Sequence, residues 1–202
     1  MNPSFLTLSI QKQNRIIQSA YKVFSKYEYR KASMSEIAAA GDISKSLLFY
    51  YFKNKQELYS YIWKLALEKL DYEEKVTKKI DNNDFFDRLY YRLEARCNLM
   101  KEYPWLQEFC LRACQETDPN IRELIQKDSE KMGQLQGKEL FLDADLSKFK
   151  DNVDLRILYQ EIIWVSYGYL KQSQEKNHFD LEQMKHDLKN MISQWKAVYY
   201  KK

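Results

Sequence analysis

The chain has 202 residues, of which 45% are hydrophobic and 31% charged, an ordinary globular composition that excludes a disordered chain. Four Gly and three Pro are too few for the turns of an all-β sandwich or barrel. The net charge of +4 is uneven: residues 1–60 carry nine Lys/Arg against four acids, whereas the remaining 142 carry 24 against 25, so a polyanion partner is expected at the N-terminal end. A solvated positive face gives the same charge count.

The first ten residues, MNPSFLTLSI, lack a basic start and a small-residue cleavage site, and no apolar run reaches the ~18 residues of a membrane helix. A cytoplasmic protein that does not enter a membrane is expected. The three cysteines are then reduced thiols. Ile16, Ile17, Ala20, Phe24 and Tyr27 follow the stripe of an amphipathic helix. Ser33 and Glu36 form a capping box that opens a short helix, Met34 to Ala40, with Ile37 and Ala38 inward. Gly41-Asp42 breaks it, and Ser44 caps a second short helix ending near Tyr51. Asn54 and Glu57 open a long helix through Leu58, Ile62, Leu65 and Leu70.

Further on, Asp84 starts a helix carrying Phe86, Leu89, Leu93, Cys97 and Met100. Pro104 fits the first turn of the next helix, and Asp118-Pro119 begins another. The two glycines between Gly133 and Lys150 predict a helix end and loop. Helices from Asn152 or Asp154 to about Lys176, and from Asp180 onward, complete an all-α fold of about nine helices.

Two short helices joined by a tight turn and braced by a longer one make a helix-turn-helix, whose second helix enters the DNA major groove. Leu48 and Phe52 share its buried face, leaving Lys45, Ser46, Leu47 and Phe49 toward bases. Lys45 can donate to guanine, and Leu47 and Phe49 can cover thymine methyls. The hydroxyls of Ser33, Ser35, Ser44, Tyr50 and Tyr51, and the Lys55 ammonium, suit phosphate oxygens, aided by helix N-termini at 34, 45 and 55. The same aromatics can instead knit a three-helix core, above all Phe52 and in part Tyr50.

From about Ile10 to Ile62 the sequence resembles the TetR-type (tetracycline-repressor) bacterial regulators. The resemblance rests on Ser33-x-x-Glu36-Ile37-Ala38 and on the run from Ile43 through Phe52-Lys53-Asn54-Lys55 to Leu58. It implies a DNA-binding domain over 1–53, an effector-binding and dimerisation domain over 54–202, and a homodimer released from its operator by a ligand. Lys45 to Phe49 match the family's base-reading positions, and Ser33, Tyr50, Tyr51 and Lys55 its phosphate contacts. Asp42 stands where the family usually has Gly. Ser46, Leu47 and Tyr51 also depart from the pattern.

In the last helix Leu181, Met184, Leu188, Met191, Trp195 and Val198 recur at a/d spacing. With the broad apolar face from Val153 to Tyr169, this predicts a four-helix dimer bundle formed by Val153–Lys176 and Asp180–Tyr200. Packing of the seam within one chain is the alternative. Trp63, Tyr90, Tyr103, Trp105, Phe109, Tyr159, Glu161 and Trp164 are candidate linings of a site for a small hydrophobic effector, with Glu161 suited to a cationic one. They serve equally as core, with Glu161 paired to Arg96 or Arg112. Cys97, Cys110 and Cys114 lack a CxxC and read as small buried hydrophobes. No metal, cofactor or catalytic group is called for. A helical enzyme or a protein-interaction module remains the other function class.

Overall fold

In the computed structural model the chain is all-helical. The structure describes residues 1–77, 83–142, 144–175 and 180–201, with side chains apart from those of 72–77, 129–139, 170 and 173–175. Among them are α1 (Ile10–Lys26), α2 (Met34–Ala40), α3 (Lys45–Tyr51), α4 (Lys55–Thr77), α5 (Phe85–Glu102), α6 (Leu106–Ala113), α7 (Pro119–Leu142), α8 (Leu155–Glu175) and α9 (Leu181–Tyr199). Two short 3₁₀ turns, Pro3–Phe5 and Leu146–Lys148, and one isolated bridge, Phe149 with Tyr200, complete the described backbone. No helix among the described residues is long and apolar enough to cross a membrane.

Local chemistry sets most helix starts. Ser33 Oγ accepts from the N–H groups of Ser35 and Glu36, Ser44 Oγ from Leu47, Asp154 from Arg156 and Ile157, and Asp180 from Glu182 and Gln183. Two expectations change. α7 continues through Gly133 and Gly137 to Leu142; each glycine costs about 1 kcal/mol in a helix, which a long helix absorbs. Tyr27 falls beyond the end of α1, where it is exposed.

The chain packs as two compact units. The first comprises residues 1–72 and 99–131. Its core gathers Ile16, Ala20 and Phe24 of α1, Ile37 of α2, Leu48 of α3, Leu58 and Ile62 of α4, and Phe109 of α6. The Tyr21 hydroxyl, buried in this core, donates to the Ile62 carbonyl at 3.0 Å. The second unit comprises 73–98 and 132–202. There Phe85, Phe86, Leu140, Phe149, Leu158, Ile162, Ile192 and Trp195 pack together.

That second core revises the reading of α9. Met184, Leu188, Ile192 and Trp195 are buried, and Val198 is exposed. Met184, Leu188 and Trp195 belong to the expected seam, and Ile192 is buried beside half-buried Met191, which packs on the same core. Ile192 and Trp195 pack within their own chain. Among the apolar side chains left open are four on α8: Ile157, Ile163, Trp164 and Tyr167. Gly168 has nothing within 4 Å of where its Cβ would stand.

Candidate nucleic-acid interface

α3 presents a mixed outer face. Lys45 and Ser46 are exposed, and Leu47 and Phe49 remain 36% and 38% exposed beside the wholly buried Leu48 and Phe52. A seven-residue helix with two apolar side chains left in water asks for an apolar cover, which a groove lined with thymine methyls supplies. Tyr50 is also open to solvent.

The turn before α3 is built for close packing. A Cβ on Gly41 would stand 3.1 Å from Ser19 Oγ and 3.3 Å from the Ile37 carbonyl, so glycine lets α2 lie close to α1. The left-handed residue is Asp42, with φ 56°. Aspartate tolerates that conformation better than most side chains. Its carboxylate accepts from Arg15 at 2.9 Å, which offsets a negative charge beside the outward face of α3.

The hydroxyls expected at phosphate oxygens hold capping positions. Ser44 Oγ accepts the Leu47 N–H at 3.1 Å and lies 3.1 Å from Ser46 Oγ. As an acceptor in its cap, Ser33 keeps its hydroxyl proton for another acceptor. Ser35 is exposed.

Two of the expected phosphate groups sit differently. Tyr51 is only 6% exposed, its ring edge-on to Phe5 at 5.6 Å, so the side chain faces inward. Lys55 Nζ donates to the carbonyls of Arg30 at 3.1 Å and Ala32 at 3.0 Å, and lies 4.7 Å above the Tyr29 ring. Burial pulls this ammonium below its ordinary pKa, against the pull of Asp118 and Glu116. Lys55 thus fastens the α1–α2 loop. The same loop is gripped by Glu116, which accepts the Tyr29 N–H at 2.8 Å, and by Asp118, which takes Arg30 Nε at 2.9 Å. The reach of either acid to this loop carries no local sequence signal, because each partner lies more than 80 residues away.

The candidate effector residues divide between the units. In the first, Trp63 and Phe109 are buried core, 6.3 Å apart between ring centroids, and Trp63 Nε1 donates to Asp128 at 3.1 Å. Tyr103 is buried with Lys69 Nζ 3.8 Å from its ring, and half-buried Trp105 carries Lys22 and Lys26 at 5.7 and 5.9 Å. In the second, Tyr90 and Tyr159 are half-buried, and Tyr159 lies 6.2 Å from Phe141. Trp164 points outward at 68% exposure. Glu161 is bonded by the Tyr199 hydroxyl rather than by Arg112, whose Nε donates to the Ser25 carbonyl. Cys97 and Cys110 are buried, whereas Cys114 is exposed.

Residues 16–62 match the family model of bacterial regulatory proteins, tetR family. Over 198 residues, covering 94% of this chain and all of the relative, the sequence is 22% identical to the biofilm operon icaADBC HTH-type negative transcriptional regulator IcaR of Staphylococcus aureus. A TetR family transcriptional regulator from Chloroflexus aurantiacus superposes with a TM-score of 0.72 at 16% identity, over 100% of this chain and 99% of that one. The Bacillus subtilis regulator FadR, solved with stearoyl-CoA, gives 0.67 at 16% identity over 88% and 96%. Residues 16–62, which include the helix-turn-helix open along α3, thus match the DNA-binding domain of the tetR family of bacterial regulatory proteins.

Proposed function

We propose that the protein is a homodimeric repressor that reads a palindromic operator through Lys45–Phe49 and is released by a small hydrophobic effector. The observation that carries this reading is the pair Leu47 and Phe49, left open on α3 beside Lys45 while Leu48 and Phe52 are buried. In use, residues 1–53 act as the DNA-binding domain and 54–202 as the effector and dimer domain, working in the cytoplasm.

Lys45 supplies a donor to guanine N7 or O6, Leu47 and Phe49 supply apolar contacts, and Ser33, Ser35, Ser44 and Tyr50 offer hydroxyl protons to phosphates. Two half-sites one helical turn apart need two reading heads, hence a dimer. The outer face of α8 suits that role. Ile157, Trp164 and Tyr167 are exposed on it, and Ile157 and Val198 border a surface cleft of about 360 Å³.

The hydrophobic effector is supported by the FadR neighbour with its stearoyl-CoA. Glu161, the residue expected to meet a cationic ligand, accepts a hydrogen bond from the Tyr199 hydroxyl.

Anisotropy of labelled duplexes across a salt series tests the reading. The expected log–log slope is steeper than about −4, the release of counterions from five or so phosphates. A slope near zero would overturn it.

A further inference from the structure

α3 is held from behind by the first residues of the chain. So short a helix depends on outside partners for its last carbonyls. The Leu48 carbonyl takes the N–H of Phe52 at 2.9 Å, and the Tyr51 carbonyl takes that of Asn2 at 2.8 Å. Asn2 is itself fixed: its Oδ1 accepts from Ser4 N at 3.0 Å and Ser4 Oγ at 2.8 Å, opening the Pro3–Phe5 turn. That turn delivers Phe5, which is fully buried, with ring centroids 5.0 Å from Phe52 and 5.7 Å from Tyr61. The far end is tied to α1, where Gln13 Nε2 donates to the carbonyls of Leu6 at 3.3 Å and Leu8 at 2.9 Å.

This segment is not built to grip DNA itself. Residues 2–11 carry no charged side chain, whereas phosphate and minor-groove contacts rely on Lys and Arg. Its apolar anchor sits against Tyr51, the residue turned inward from the expected phosphate face.

We propose that residues 2–8 are a strap, and that Phe5 is a positioning residue for DNA reading: it fixes the angle and depth at which α3 presents Lys45 to Phe49, without touching DNA. The proposal rests on the reading of α3 as the base-reading helix. Packed interiors transmit such displacements because they leave no room to yield. A void behind Tyr51 and Phe52 lets α3 rock. Charge attraction to phosphates survives that motion, but directional base contacts do not.

The test uses the full chain, one duplex enriched by the wild type from a randomised pool, and a scrambled duplex of the same composition. Phe5→Ala is expected to lose about ten-fold or more in affinity for the enriched duplex and to stay within about two-fold on the scrambled one. The salt slope on the scrambled duplex should hold, and Phe5→Leu should recover most of the discrimination. Equal loss on both duplexes with a shallower slope would make the strap a DNA contact and overturn the proposal, as would unchanged discrimination. Should Phe5→Ala fail to fold, Asn2→Pro removes the N–H given to Tyr51 at a φ of −72° that proline accepts. The same pattern is expected, with Asn2→Ser as the control that keeps the donor, and wild-type discrimination in Asn2→Pro would overturn the proposal. A wild type that enriches no sequence would overturn the DNA reading and the strap together. One that enriches a sequence equally well read by Phe5→Ala would overturn the strap alone.

Discussion

Trp164→Ser tests the α8 face as the dimer contact. Trp164 stands 68% exposed on a helix whose opposite side carries the buried Leu158 and Ile162. A tryptophan left that wet has roughly 150 Å² still to bury, worth about 3–4 kcal/mol per copy at about 25 cal/mol per Å². Association costs reduce that area figure, and truncating a central aromatic typically yields about 2 kcal/mol or more. A two-fold dimer loses the side chain twice, so about 4 kcal/mol is expected, roughly a thousand-fold in the dissociation constant. The folded monomer should change by no more than about 0.5 kcal/mol, because the lost surface was exposed. Sedimentation velocity over a dilution series reads the first quantity, and urea melts at the lowest concentration read the second. An unchanged dissociation constant would refute the assignment of this face.

Lys55→Ala should cost about 2 kcal/mol in urea melts, since two charge-assisted bonds to the α1–α2 loop are lost, and should flatten the salt slope of duplex binding by less than one counterion. Full stability with a slope shallower by about one would make Lys55 a phosphate contact instead. Trp63→Phe should lose about 2–3 kcal/mol through the Asp128 bond and the void left behind, with hydrophobic-dye affinity little altered; a dye effect without a stability loss would return Trp63 to the effector site. For Asp84, burial raises the carboxyl pKa, but the Asp87 N–H and the Lys148 and Lys196 ammonium groups outweigh it and hold it below the ordinary 3.8. A depressed folded-state pKa stabilises above the unfolded value and loses that contribution as pH falls through the folded one. Asp84→Asn should therefore be less stable than wild type near pH 7, and the gap should close as pH drops below 3.8. A gap independent of pH would contradict the charge pairing.

The elements most legible in the sequence are those whose ends are set within four residues. Ser33 and Ser44 fix the starts of α2 and α3 by local capping, and Asp180 does the same for α9. The outward face of α3 followed from helical spacing alone. What escaped depends on distant partners. Tyr51 turns inward because Phe5 arrives from the other end of the domain, and Lys55 is claimed by carbonyls 23 and 25 residues away. Trp63 and Phe109 carry the same composition signal whether they line a cavity or fill a core. On α9, 3.5- and 3.6-residue spacings diverge by only about 20° per heptad, so the sequence pattern alone does not say whether the stripe faces its own chain or a partner.

The outward face of α3 is tested most directly by letting the wild type and Lys45→Ala, Leu47→Ala each enrich duplexes from one randomised pool. A two-fold symmetric sequence should emerge for the wild type, with guanine or thymine preferences in each half-site that fade in the variant at only one or two positions, about 1–3 kcal/mol for each lost contact. Enriched sequences identical for both proteins would contradict base reading by this helix.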